Sequence, residues 1–191
     1  MGIRRHHSVE ELVTLYKSRV LSTIEYRTAA IYHACAYKLA KLDKVQQTFL
    51  NELGITTAEA LLDFNLAPLK IRRDLSMLGL IHKTCLGLAP RQFNCFFVKQ
   101  DVPPSVETRS AARRHRFHLK VPELRLEIAR RSALGLIAMY NGLPADAVDK
   151  DSVSGFQRVW QNLVASRCKS GFEGWEDTFS PRVQWWRRPF R

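Results

Sequence analysis

The stretch Ser8-Val9-Glu10-Glu11-Leu12-Val13-Thr14-Leu15-Tyr16-Lys17-Ser18-Arg19-Val20-Leu21-Ser22-Thr23-Ile24 decides the class of fold. Ser8 and Glu11 form a capping box, in which the Ser hydroxyl serves the third backbone N–H and Glu11 returns to the N–H of Ser8. Behind that start, Val9, Leu12, Val13, Tyr16, Val20 and Ile24 recur at helical spacing and make one apolar stripe.

The same signal continues along the chain. Leu39, Leu42, Val45, Phe49, Leu50 and Leu53 predict a second helix, with Gly54 placed to end it in the left-handed conformation. Thr56-Thr57-Ala58-Glu59 caps a short helix through Leu61, Leu62 and Phe64. After a break at Pro68, the residues Ile71, Leu75, Leu78, Ile81, His82 and Cys85 predict another helix, ending near Gly87. From Ala89 to Ala112 the periodicity dissolves into Pro90, Pro103-Pro104 and scattered Ser and Thr, a loop that Phe93, Phe96 and Phe97 pin back on the helices.

Phe117, Leu119 and Val121 alternate with polar residues and predict a short extended piece. Helices resume over Leu124–Asn141 and Ser152–Cys168, joined by an acidic turn with Asp146, Asp149 and Asp151. Gly171 to Arg191, with Trp175, Trp185, Trp186, Pro181 and Pro189, reads as irregular and docked through its aromatics.

The expected fold is therefore all-α: a helical bundle with an irregular basic loop and an irregular aromatic C-terminal tail. Its stretches are 8–97 (helical), 98–123 (basic linker), 124–168 (a helical pair) and 169–191 (basic aromatic tail). The expected core holds Leu12, Tyr16, Val20, Leu42, Val45, Phe49, Leu61, Leu75, Leu78, Ile81, Ile137, Tyr140, Phe156 and Trp160.

Composition agrees with a packed domain: 191 residues, 46% hydrophobic and 25% charged. The longest uncharged stretch, Ser132 to Ala145, is broken by Gly142-Leu143-Pro144 and is too short to cross a bilayer. No apolar signal core follows Met1, so secretion is not expected. Cys35, Cys85, Cys95 and Cys168 form no C-x-x-C pair and predict reduced thiols in an intracellular protein of the cytoplasm or nucleus. A partial zinc site from His82, Cys85 and Cys95 fits no known ligand spacing, and ordinary core cysteines are the expectation.

The formal charge of +12 is unevenly spread. Residues 109–131 hold eight Lys/Arg against two Glu, and residues 182–191 hold four Arg and no acid, so two short stretches carry most of it. That pattern suits a polyanion such as RNA, DNA or an anionic surface. The plain alternative is a pair of solvated basic segments.

Catalytic signatures are missing. There is no phosphate-cradling Gly-rich loop, no G-x-S-x-G elbow and no H-E-x-x-H helix. His115-x-x-His118, flanked by Arg and Phe, suits a basic loop better than a ligand pair. Two-metal phosphoryl transfer needs clustered carboxylates, and the chain has no Asp-Asp pair. The Asp146–Asp151 turn reads as a cap for the helix at Ser152. Neither a cofactor nor a metal is expected.

Leu15-Tyr16-Lys17-Ser18-Arg19-Val20-Leu21-Ser22-Thr23-Ile24-Glu25-Tyr26 resembles the segment just beyond the palm in non-LTR (LINE-type) retrotransposon reverse transcriptases, where the thumb opens. Leu42-Asp43-Lys44-Val45-Gln46 resembles the family's Leu-x-x-Val-Gln helix. Leu66-Ala67-Pro68-Leu69 with Arg72-Arg73-Asp74 resembles the turn that meets an arginine-bearing helix, and Gly87, Pro90, Phe93 and Phe96 follow in order. Thr108-Arg109 precedes a basic region. Arg131-Ser132, Tyr140-Asn141-Gly142-Leu143-Pro144, Ser152-Val153 and Phe156 are similar to the closing signature, Trp-Asn-x-Leu-Pro followed by Ser-Val-x-x-Phe, with Tyr140 in place of Trp. The likeness runs over about residues 9–165 and leaves out the Trp-rich tail.

The resemblance implies a thumb-like bundle whose ancestor grips a template–primer duplex. The fingers and the palm with its Tyr-x-Asp-Asp motif would precede Met1, so no catalytic residue carries over. Gripping a duplex without reading its sequence needs phosphate neutralisation by Lys and Arg. Arg109, Arg113, Arg114, Arg116, Lys120, Arg130 and Arg131 are the first candidates, with Phe117 or His118 near enough to stack on a base. Lys70, Arg72 and Arg73 are the second patch. The expected partner is the backbone of RNA or an RNA–DNA hybrid, with no membrane. Three readings stay open: a non-catalytic reverse-transcriptase remnant, a helical protein-interaction module, and a small basic DNA-binding protein. The last lacks a proper helix-turn-helix, because a Pro-containing turn separates its two candidate helices.

Overall fold

The computed structural model describes residues 7–100 and 115–179. Its first helix, α1 (Val9–Tyr16), starts on the expected capping box: the Glu11 N–H donates to the Ser8 hydroxyl at 3.2 Å, and the Ser8 N–H donates to the Glu11 carboxylate at 2.9 Å. A π-helical turn, Lys17–Leu21, then leads into α2 (Ser22–Tyr26) and α3 (Thr28–Ile31). The π turn inserts an extra residue and rotates everything after it. Leu21 is therefore buried, whereas Val20, expected in the core, is 38% exposed.

The next helix, α4 (Ala36–Leu53), ends where expected, at Gly54 with φ +72°. Its buried face is Leu39, Gln46 and Leu50, not the face through Val45, which is 43% exposed. Polar partners set this phase. Gln46 donates its amide to the Ala67 carbonyl at 3.2 Å, and Asp43 accepts both forks of the Arg73 guanidinium. Leu42 and Phe49 on this helix, and Leu12 on α1, are only half-buried. A second capping box, Thr56 with Glu59, opens α5 (Thr57–Leu62).

The central element is α6 (Leu69–Cys85), which follows Pro68 and is relieved by Gly87 at φ +75°. It is buried on nearly every side, as a helix at the middle of a bundle must be. A 3₁₀ turn, Arg91–Cys95, brings Phe97 into the core and lays Phe93 beside it, but leaves Phe96 exposed.

The expected helix over 124–141 is three pieces: α7 (Glu127–Arg130), a 3₁₀ turn (Ala133–Leu136) and α8 (Ile137–Asn141). Ser132 breaks it by going extended and accepting the Leu134 N–H on its hydroxyl. The reversal is so tight that a Cβ on Gly135 would lie 1.9 Å from the Arg130 carbonyl oxygen. A short α9 (Ala145–Val148) stands in the acidic connection, and α10 (Val153–Lys169) follows, capped by Ser152. A 3₁₀ turn, Trp175–Asp177, places Phe179 edge-on against Trp160, with centroids 5.7 Å apart.

The protein is thus mostly helical, and the only β-type pairing among the described residues is an isolated antiparallel bridge, Lys99 to Leu119. Two buried clusters form. The smaller joins Val13, Tyr16, Leu21, Leu50, Ala60, Leu66 and Leu69. The larger draws on all four stretches set out from the sequence, including Ile81, Leu119, Trp160 and Phe179, so one core runs across their boundaries. Among the described residues no helix is long and apolar enough to cross a membrane.

Candidate nucleic-acid interface

The extended piece expected around Phe117 is instead a turn at Arg116–Phe117, closed by the His118 N–H donating to the His115 carbonyl at 3.2 Å, that runs into the bridge at Leu119. His115, Phe117 and Leu119 are buried, while Arg116 and Lys120 are exposed. Three contacts hold it down. The Asn141 amide pairs with both backbone groups of Leu119, accepting its N–H at 2.9 Å and donating to its carbonyl at 2.7 Å. The Lys120 N–H donates to the Val98 carbonyl and the Gln100 N–H to the His118 carbonyl, each at 2.9 Å. His115 Nε2 lies 3.0 Å from the Tyr140 carbonyl, which accepts only, so Nε2 carries the proton.

The floor beneath is polar and fully enclosed. His82, with no exposed surface, places Nε2 at 2.8 Å from the Lys150 carbonyl and Nδ1 at 3.0 Å from the Tyr140 hydroxyl. Because a carbonyl cannot donate, Nε2 is protonated and Nδ1 accepts from Tyr140. The ring stacks on Phe156 at 4.4 Å and meets Phe117 edge-on. Burial holds both His82 and His115 below the usual histidine range, and it pushes the Tyr140 hydroxyl and the Cys85 thiol up. All four groups are therefore neutral and structural.

On the outside, Phe117 lies under two cations, the Arg116 guanidinium at 4.6 Å and the Lys99 ammonium at 5.4 Å from its centroid. Phe117 is covered and cannot stack on a base. Lys99, absent from the sequence-based candidates, is brought beside Arg116 by the bridge to Leu119; the only signal for it was a Lys two residues past a pinned Phe. Arg116 does not stand alone. Its Nε contacts Asp149 Oδ1 at 3.0 Å and its Nη2 contacts Asp151 Oδ1 at 3.1 Å. Lys120 is exposed, Arg130 donates to the Leu124 carbonyl, and Arg131 is half-buried with its Nε unpartnered among the described residues. Arg109, Arg113 and Arg114 lie outside the described residues.

The second patch has a different use. Lys70 contacts Glu176 and Asp177, each at 3.1 Å. Arg72 grips Glu25 on α2 through two nitrogens. Arg73, 5% exposed, pairs with Asp43 on α4, and the neighbouring Asp74 accepts the Tyr32 hydroxyl at 2.6 Å. One turn of α6 thus ties down α2, the segment after α3, α4 and the turn at Trp175. These cations join elements together and do not form an open surface with Arg116.

The metal-site idea finds no geometry. His82 uses both ring nitrogens, the exposed Cys95 thiol donates to the Gln92 carbonyl, and no group of three ligating residues comes together among the described residues. His115 and His118 lie edge-to-face, with centroids 5.9 Å apart, on the docked segment and not on a helix.

Compared with protein-family models, curated proteins and solved structures, the chain matches none of them.

Proposed function

We propose that the chain is a non-catalytic helical module related to the region beyond the palm of non-LTR reverse transcriptases, and that it contacts the backbone of RNA or an RNA–DNA hybrid without reading sequence. The observation that carries this reading is the docked segment at 115–120, in which Phe117 and Leu119 belong to the core while Arg116 and Lys120 are exposed. Lys99 and Arg116 both lie over Phe117, Lys120 is exposed, and in sequence the segment continues the stretch in which Arg109, Arg113 and Arg114 concentrate positive charge. A rigid base carrying charge suits phosphate contacts, which position a nucleic acid but carry no sequence information. The family kinship is supported by the ordered succession of motifs. The closing Tyr140-Asn141 pair also has a concrete task, anchoring His115 and Leu119 within the basic region. The sequence has no Asp-Asp pair of the kind that holds catalytic metals. The module would act in the cytoplasm or nucleus.

The test is titration of a labelled RNA–DNA hybrid and of the same strands with shuffled sequence at low salt. Equal affinities support the reading. A marked preference for one sequence, or no binding to either, contradicts it.

A second reading, a helical protein-interaction module, is favoured by the exposed apolar residues Val121, Leu126 and Ile128 just beyond the docked segment. It predicts a protein partner that is lost when Leu126 and Ile128 are changed to Ser.

A further inference from the structure

Arg116 meets the protein's own acids where a polyanion would meet it. A guanidinium presents two N–H edges that phosphate satisfies with two oxygens of one group. Here two carboxylates divide the task, Asp149 on Nε at 3.0 Å and Asp151 on Nη2 at 3.1 Å. The arrangement is built from below. The loop between the two acids is fixed by its Lys150 carbonyl, which accepts from His82 Nε2 at 2.8 Å. Arg116 follows His115, which is fixed to the Tyr140 carbonyl at 3.0 Å, and Tyr140 in turn donates to His82. Both sides of the contact therefore hang from one buried Tyr140–His82 pair. Packing of the guanidinium over Phe117 at 4.6 Å fixes its direction.

The acids have little else to do. Ser152, not Asp151, caps α10, accepting the Gly155 N–H at 3.1 Å. Asp149 and Asp151 make no other ion pair among the described residues. The contact is also open to water: the side chains of Arg116, Asp149 and Asp151 are 52%, 48% and 93% exposed. Pairs so exposed add little to folding stability and exchange readily.

Resting on the nucleic-acid reading above, we propose that the Asp149–Asp151 loop is an autoinhibitory polyanion mimic, which occupies Arg116 and must be displaced before that arginine contacts a phosphate backbone. Lys99 and Lys120, which have no such partner among the described residues, make the first contacts, and Arg116 adds to them only after the exchange.

The experiment compares the full chain with D149N/D151N, R116A and D149N/D151N/R116A, each titrated with a labelled single-stranded RNA over a range of salt. Far-UV circular dichroism confirms that each protein is folded. The D149N/D151N protein is expected to bind about three- to tenfold more tightly, the range set by exposed ion pairs, with a log–log salt slope steeper by about 0.7 for the one phosphate gained. R116A alone should weaken wild-type binding by less than about twofold, because its arginine is already occupied. In the D149N/D151N background the same change should abolish most of the gain. Unchanged affinity in D149N/D151N, or a gain that survives R116A, overturns the mimic while leaving the nucleic-acid reading in place. No binding by any of the four proteins overturns both.

Discussion

Asn141 holds Leu119 by both of its backbone groups, accepting the Leu119 N–H at 2.9 Å and donating to its carbonyl at 2.7 Å. Leu119 has no exposed surface, and its backbone has few other partners at this point. One side chain from the end of α8 thus satisfies the two backbone groups of Leu119, while residues 98–100 pair with His118 and Lys120 on either side of it. N141A leaves both groups poorly satisfied, and the expected loss is about 1–3 kcal/mol in urea denaturation. N141D keeps the acceptor and turns the donor into an oxygen facing the carbonyl, so it should be no better. Limited proteolysis near Lys120 should quicken in both variants. Stability equal to wild type would show that the segment is held by other means.

Buried histidines make stability depend on pH. Burial lowers the folded-state pKa of His82 and His115 beneath the value of about 6.5 that they have in the unfolded chain. The unfolded chain therefore binds protons first as the pH drops. The stability these residues contribute is fully present above about pH 6.5 and is lost as the pH falls from there through their folded-state values. Urea midpoints should decline as the pH falls below about 6.5, ahead of the carboxylates Glu11 and Glu59, whose lowered values act further down. H115Q should show a shallower decline. A midpoint that is flat across this window would contradict the enclosed geometry of the cluster.

The charged turn of α6 makes a third prediction. Arg73 is 5% exposed, and Asp43 is its only ion-pair partner among the described residues. D43A strands a buried guanidinium, and the expected cost is about 2–4 kcal/mol, reduced from the fully buried case because Asp43 itself is partly exposed. D43N, which still accepts one hydrogen bond, should cost less. Replacing the pair with D43L/R73M should recover much of the loss. Equal stability of D43A and wild type in thermal melts would mean that the pair does not join α4 to α6.

Local chemistry was legible in the residues, and partnerships across the chain were not. Ser8, Thr56 and Gly54 act within one helical turn, so their capping roles can be read directly. The all-helical class and eight core positions from Leu61 to Trp160 follow from periodicity along single helices. The expected faces fail where something nonlocal or irregular intervenes: the π turn that contains Val20, and the Asp43–Arg73 pair on α4, where Val45 is outward. Gly135 gave no warning of the break in the 124–141 helix, because its role depends on a backbone oxygen five residues earlier.

The same limit governs the candidate interface. A count of charges finds Lys70, Arg72 and Arg73 as readily as Arg116 and Lys120, since it records signs and not partners. Only the folded arrangement shows that the first three face Glu25, Asp43, Glu176 and Asp177. The alternation at Phe117 and Leu119 gave both buried positions, but the expected extended piece is a turn at Arg116–Phe117 followed by an isolated bridge at Leu119, and the fastening by Asn141 and the approach of Lys99 needed tertiary geometry.

The central claim, a docked basic segment that neutralises phosphates, is tested most directly by the salt dependence of binding to an RNA–DNA hybrid. Each phosphate neutralised contributes a log–log slope of roughly −0.9 on a duplex. Changing Arg113, Arg114 and Arg116 together to Ala should flatten the slope by about two units between about 50 and 200 mM salt, the share of Arg113 and Arg114, since Arg116 is held by Asp149 and Asp151. Arg116 faces solvent, so the helical circular dichroism should persist. Changing Arg187 and Arg188 to Ala is the control and should leave the slope nearly unaltered. An equal flattening by both sets, or binding by the wild type that ignores salt, would contradict the account.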